Sequence, residues 1–401
     1  MKLAYVTPED PLSVRSWSGT NRSIALALAE QGVELQYVGP LRNPFSLAQR
    51  VRYHAGERLG LPRYLPSRSL MTARSYAREI ARRLEPDVDA VFATGTVPVA
   101  FLDTDLPVVF WADAAFGGMI DFYPAYSNIA RRSQESGDRL EQMGLDRAGL
   151  AIYSSDWGAQ TALRHYDVDP AKLAVVPFGA NLDPVPGPEE VEAFAAARPE
   201  GRLQLLFLAV EWERKGGDLA VEAARLLNER GIPTTLVVVG CAPPDGQAPP
   251  FVDLHGFVSK ADEGGRAELR RLLSESHFLI HPARADATPV VLPEASAHGL
   301  PVLAAAVGGI PTIVRDGANG YALPPGSPPA AYADLAAELA DDRERYRTLA
   351  RSAGEEFRRR LNWSAAGADV VGRVRALLRE RSGGTLREGP DDDRQERVVA
   401  Q

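Results

Sequence analysis

From Asp286 to Glu294 the chain reads D-A-T-P-V-V-L-P-E, directly after an apolar stretch that ends in His281-Pro282. Two carboxylates and the start of a helix fall within this one segment. Carboxylates grip hydroxyls, and the free N–H groups that open a helix grip phosphate. A sugar joined to a nucleotide diphosphate would need both. Thr288 is placed to cap the helix, and Pro289 suits its first turn, where a missing N–H costs nothing. The segment Ala287, Thr288, Pro289 and Val290 is then expected to form an anion site at the positive end of the helix dipole. Asp286 lies just before the helix. Glu294, about a turn and a half inside it, can accept two hydrogen bonds from a ribose diol. Taken alone, the same spacing also suits a capping aspartate and an ordinary surface glutamate.

A second chemical segment is Glu211-Trp212-Glu213-Arg214-Lys215-Gly216-Gly217, between an apolar strand and a helix. A departing diphosphate gains negative charge, which cationic side chains can stabilise where no metal ion does. Arg214 offers a planar fork for phosphate oxygens and Lys215 a point charge. Of the 45 basic Lys and Arg residues only Lys2, Lys172, Lys215 and Lys260 are lysines, so a lysine in such a place stands out from an arginine background. A third segment, Ser16-Trp17-Ser18-Gly19-Thr20, follows the first strand and leads into a helix. It matches neither a dinucleotide fingerprint nor a Walker loop, and it would place Gly19 across a cleft from the phosphate site. The turn Gly308-Gly309-Ile310-Pro311 should border the same pocket. Asp103-Thr104-Asp105 has the look of a metal-binding acidic triplet, but it precedes a strand and so lies away from strand C-terminal ends. The six histidines show no metal-ligand spacing, and no metal site is expected.

Strands alternate with helices in both halves, which predicts parallel sheets covered on both faces. In the first half strands are expected near Leu3–Val6, Glu34–Val38, Ala90–Ala93, Val108–Trp111, Leu150–Ser154 and Leu173–Pro177. In the second they fall near Leu205–Val210, Thr235–Val239, Phe278–His281 and Val302–Ala305. The fold class expected is α/β, with two Rossmann-like, doubly wound parallel-sheet domains facing a central cleft. The division is residues 1–183, a linker over 184–200, a second domain over 201–362, a helix over 363–380, and a disordered tail over 381–401.

At 401 residues the chain can bury two cores. No apolar run reaches membrane-spanning length, and Met1–Val6 reads as a strand rather than a leader. The single Cys241 excludes a disulfide framework. The expected location is cytoplasmic. A net charge of −8 argues against a nucleic-acid partner. Charge is unevenly spread, however: between Arg42 and Arg83 there are ten arginines against Glu57 and Glu79, with Leu59, Leu61, Tyr64 and Leu65 among them. That stretch suits an approach to an anionic acceptor or to anionic lipid, with peripheral contact at the inner membrane face, but a solvated helical face is the simpler reading.

Together these residues resemble the retaining family-four glycosyltransferases of the GT-B fold. The resemblance is carried by P-A-R-A-D-A-T-P-V-V-L-P-E-A-S-A-H-G-L-P-V-L running into V-G-G-I-P and R-D-G-A-N-G, with W-E-R-K-G-G-D, S-W-S-G-T and V-V-P-F-G-A-N. The family has two glutamates with seven residues between them; Asp286 and Glu294 keep that spacing, with one methylene fewer at the first position. By this resemblance Glu294 holds the nucleotide ribose, Asp286 faces the donor sugar, Arg214 and Lys215 hold the diphosphate, and Gly19 closes on it. Asp113, in W-A-D-A-A-F, stands near where many relatives have a histidine close to the sugar. The last helix is expected to cross back onto the first domain. The implied activity is transfer of a hexose from a nucleotide diphosphate sugar to an acceptor hydroxyl of a glycan, glycolipid or small molecule, with retention and without metal or cofactor. An epimerase or hydrolase of nucleotide sugars on the same plan, and a non-catalytic binding subunit, are the alternatives.

Overall fold

Segments such as Ala90–Ala93, Val108–Ala112, Phe278–His281 and Val302–Ala305 are buried at every residue. A strand of a parallel sheet covered on both faces must be apolar in this continuous way. The computed structural model describes residues 1–14 and 16–381, and these strands build two six-stranded parallel sheets. The first holds β1 (Lys2–Val6), β2 (Glu34–Val38), β3 (Ala90–Ala93), β4 (Val108–Ala112), β5 (Ala148–Tyr153) and β6 (Leu173–Val175) in the order β2-β1-β3-β4-β5-β6. The second holds β7 (Leu203–Leu208), β8 (Thr234–Val239), β9 (Val252–Leu254), β10 (Phe278–His281), β11 (Val302–Ala305) and β12 (Gly320–Leu323) in the order β12-β11-β10-β7-β8-β9. Strand order reverses between β1 and β3 in one sheet and between β7 and β10 in the other. Ligands of such sheets bind outside the strand C-terminal ends at these reversals.

Alternate residues of each strand feed two cores. Leu3 and Tyr5 pack with Phe92, Trp111 and Ile24 on one face, while Ala4 and Val6 pack with Val91, Phe110 and Tyr153 on the other. The final helix, Trp363–Arg381, sends Val370, Val371 and Val374 into the first of these cores, beside Ile24 and Leu28. A segment that follows the second sheet in the chain thus covers the first.

The stretch 184–200, expected as a bare linker, contains the helix Pro188–Ala197. Pro188 sits in its first turn, where proline is tolerated, and Glu190 accepts a hydrogen bond from the Gly187 N–H at 3.0 Å. Val191 and Ala195 are buried. Arg198, also buried, donates to the carbonyls of Ser274, His298 and Gly299 and to the Tyr346 hydroxyl. The helices Ser46–Arg58 and Asp156–His165 and the short edge strand β9 are further elements that the sequence pattern did not single out. Arg381 closes the last helix, and the rest of the expected tail lies outside the described residues.

Candidate active site

The loops that leave β1, β3, β4, β7 and β10 at their C-terminal ends converge on the cleft between the sheets. After β10, Pro282–Val290 runs irregularly before the helix Val291–Ala297 begins. Thr288 therefore does not cap that helix. The N-cap position falls on Val290, with no side-chain cap. Pro289 instead heads a tight turn in which its carbonyl accepts from the Leu292 N–H at 3.2 Å. This turn delays the helix, and the Thr288 hydroxyl pairs with the hydroxyl of Ser154 in the first domain. Gly308 adopts φ +55 and lies so close to the Asp286 carbonyl that a Cβ would collide with it. The neighbouring Gly309 N–H donates to that same carbonyl at 3.1 Å, so the Gly308-Gly309 turn does border the site.

Asp286 is 5% exposed. Its Oδ2 accepts from Lys215 Nζ and, at 3.0 Å, from His281 Nε2. Burial alone would raise its pKa, but Lys215 and His281 together outweigh that and hold the carboxylate well below its usual range. His281 is fully buried and its pKa is lowered by burial, which makes it a neutral donor to Asp286. Arg214, one residue before Lys215, donates to both oxygens of Glu211 at 3.0 and 2.6 Å and to the Ala285 carbonyl at 2.9 Å. Its guanidinium lies 5.3 Å from the centre of the Tyr123 ring.

Glu294 has no exposed surface. One oxygen, Oε1, accepts from Lys260, while Oε2 has no hydrogen-bond partner. Its pKa is raised by burial, against the pull of Lys260. The backbone amide of Asn181 adjoins the same carboxylate. The Asn181 side chain donates to the Ser18 carbonyl at 2.8 Å and accepts from Ser23 and from the Trp363 indole. Asn181 thus fixes the glycine loop of the first domain beside Glu294. In that loop Trp17, Ser18 and Gly19 all have positive φ, at 47, 55 and 83. Three left-handed residues in a row, two of them not glycine, are costly, and such strain concentrates at ligand sites.

Asp113 follows β4. Burial pushes its pKa up to about 6, against backbone amides and the Trp17 indole, which favour the charged form. It lines a pocket of about 420 Å³ on the first-domain side of the cleft, together with Trp17, Tyr123, Tyr126, Glu211 and Arg214. Tyr123 crosses the cleft: its hydroxyl accepts from the Ala287 N–H at 2.6 Å. Thr312 and Asp156 make a further inter-domain pair.

The structure thus brings Asp286, Ala287, Thr288, Arg214, Lys215 and Asp113 to one cleft and sets Glu294 beside the Gly19 loop. Sequence reading did not assign His281, Lys260, Tyr123 or Asn181. Lys260 carried a signal as one of four lysines, and Asn181 as the last residue of V-V-P-F-G-A-N. The Asp103–Asp105 triplet lies before β4, on the opposite side of the sheet from the cleft, where the Asp105 carbonyl accepts from Arg381.

The glycosyl transferases group 1 family matches residues 202–342, and glycosyltransferase family 4 matches residues 20–184. The two matches divide between the two sheets and take in most of the chain. The chain belongs to the group 1, family 4 glycosyltransferases. Relatives within this family include the D-inositol 3-phosphate glycosyltransferase of Streptomyces scabiei, 36% identical over 194 residues, covering 45% of this chain and 43% of that protein. The namesake of Corynebacterium glutamicum is 29% identical over 244 residues, covering 57% of this chain and 58% of that protein. The chain spans about half the length of the relatives it matches. Among solved structures, sucrose-phosphate synthase from Thermosynechococcus elongatus aligns with a TM-score of 0.66 at 16% identity, over 94% of this chain and 99% of that one. Anabaena HepE in complex with UDP and glucose aligns with a TM-score of 0.61 at 16% identity, over 94% and 100% of the two chains. This glycosyltransferase therefore has the GT-B fold.

Proposed function

We propose that the chain transfers a hexose from a nucleotide diphosphate sugar to an acceptor hydroxyl with retention of anomeric configuration. The observation that carries this is the fully buried Glu294 carboxylate, whose Oε2 is unpartnered. A buried carboxylate oxygen without a donor is costly, and a ribose hydroxyl would satisfy it. Ala287 to Val290 lie on the path from Glu294 to Asp286, Lys215 and Arg214, where the diphosphate would sit with Gly19 opposite. Arg214 retains N–H groups beyond those it gives to Glu211 and Ala285, and Lys215 can exchange Asp286 for a phosphate oxygen. These side chains, rather than a metal ion, meet the developing charge in this proposal.

In the transfer step the bond from the sugar anomeric carbon to the phosphate oxygen breaks, and a bond to the acceptor oxygen forms on the same face. The acceptor proton passes to the leaving phosphate oxygen. Asp113 orients the acceptor or steadies positive charge on the sugar. Following the product's anomeric proton by time-resolved NMR tests the stereochemistry: the first product should carry the donor's configuration, and an inverted product would overturn the proposal.

We also propose that the chain works on an anionic membrane face, from the cytoplasmic side. No helix among the described residues is long and apolar enough to cross a membrane. The helix Ser46–Arg58 instead turns Leu47 and Val51 to solvent, 71% and 63% exposed, beside exposed Arg50 and Arg52. Leu59 and Leu61 continue the patch. Apolar side chains flanked by arginine suit an acidic lipid surface. Co-sedimentation with phosphatidylglycerol vesicles should be lost in L47E/V51E. Binding that survives the pair, or its absence in the parent, would refute this.

A further inference from the structure

The pocket on the first-domain side of the cleft has a definite charge. Among the described residues that line it, Asp113 and Glu211 are carboxylates and Arg214 is the one cation. Arg214 is doubly engaged. Its Nε and one terminal nitrogen are turned to Glu211, and the other terminal nitrogen to the Ala285 carbonyl. The N–H groups that remain are the ones the donor diphosphate needs in the transfer reading above. Lys215 lies against Asp286 rather than in the pocket. The rest of the polar surface is supplemented by the rings of Trp17, Tyr123 and Tyr126.

An acceptor carrying a phosphate would face the Asp113 carboxylate here, since the one cation lining the pocket, Arg214, is already paired with Glu211. Like charges held close in a partly dry pocket repel far more strongly than in water. A protonated amine meets the reverse situation, with the Asp113 carboxylate and the rings of Trp17 and Tyr126 lining one pocket, and aromatic rings attract cations. We propose that this pocket is an acceptor subsite for polyhydroxylated molecules without an acid group, that it favours a protonated amine on the acceptor, and that it rejects phosphorylated acceptors. In this the chain departs from the relatives named for D-inositol 3-phosphate. The inference rests on the transfer reading, because it takes the donor to occupy Arg214 and Lys215.

The test uses the full chain at pH 7, where Asp113, with a pKa of about 6, is mostly ionised. The donor site is first filled with the nucleoside diphosphate that gives the largest thermal shift. Glucose, glucosamine, glucose 6-phosphate and D-inositol 3-phosphate are then titrated against that complex by calorimetry. Glucosamine should bind tightest, and each phosphorylated ligand at least tenfold more weakly than glucose. The advantage of glucosamine should shrink as salt is raised. Glu211→Gln releases the Arg214 fork and should improve binding of the phosphorylated ligands at least threefold while weakening glucosamine. A phosphorylated ligand binding as well as glucose would overturn the inference. So would a panel in which nothing binds although the diphosphate does. Failure of every nucleoside diphosphate to bind would instead overturn the transfer reading beneath it.

Discussion

Asp286 and Glu294 share a segment but differ in surroundings, and the difference assigns them different work. Asp286 has a lysine and a histidine on one oxygen and is held charged. It fixes the position of the Lys215 ammonium. Glu294 keeps one oxygen without a partner in a fully buried place. Replacing Lys215 by alanine should therefore lower kcat by about a hundredfold, as loss of a charge-stabilising group does elsewhere; steady-state assay reads this, and an unchanged kcat would remove Lys215 from the reaction. Asp113 predicts a pH effect. Its pKa is raised to about 6, so kcat/KM should fall on the acid side with a midpoint near that value if the charged form is required. Asp113→Asn should give a lower rate with that limb absent. That Asp286 and Lys215 meet was legible in part from residue type and from the family resemblance. His281 was not, because a histidine closing an apolar strand looks like any core residue until its Nε2 is seen against Asp286.

At the scale of elements, the cleft is closed by a few contacts that cross it. Tyr123 accepts from the Ala287 N–H and lies under Arg214, joining the loop after β4 to the loop after β10. Tyr123→Phe keeps the ring but leaves that amide unpaired, at a cost of about 1–3 kcal/mol. The denaturant midpoint should fall accordingly, and donor affinity with it; a variant equal to the parent in both would show that the contact does not hold the site. Ten of the twelve strands were legible as short, mostly apolar runs, while β9, Val-Asp-Leu at the sheet edge, and β12, which opens on Gly320, were not. The helix Ser46–Arg58 was not, since it buries little beyond Gln49 and shows no apolar stripe facing the core. The helix Pro188–Ala197 was hidden by its flanking prolines and glycine, which read as a loop although Pro188 opens the first turn. The partnership of Tyr123 and Ala287 spans 164 positions, and no local pattern encodes a contact that two folded sheets must first create.

At the scale of the molecule, the last helix ties the two sheets together by packing on the first after following the second, while the segment around Arg198 is anchored to the second domain. Arginine crowds the surface of residues 42–83, while the pocket beside Asp113 is lined by two carboxylates and one arginine. Stability should depend on pH through two buried histidines of the second domain. His277 and His298 are held to pKa values of about 4, chiefly by burial, against an unfolded value near 6.5. Between these values the unfolded chain binds more protons, so stability falls as pH drops from about 6.5 and the loss is complete below about 4. Unfolding free energies from urea melts at pH 7, 6 and 5 should decline by an amount on the order of a few kcal/mol in total, and a flat series would contradict the burial of these rings.

The proposed transfer requires that the protein hold a nucleotide diphosphate sugar through Glu294. Thermal melting of the purified chain with uridine, guanosine and adenosine diphosphate sugars tests it most directly, since a ligand that binds only the folded state raises the melting temperature. One donor should raise it by several degrees at millimolar concentration, and Glu294→Gln should weaken that donor about tenfold, in line with loss of a charged hydrogen bond. No shift with any donor, or an equal shift in the variant, would contradict the account.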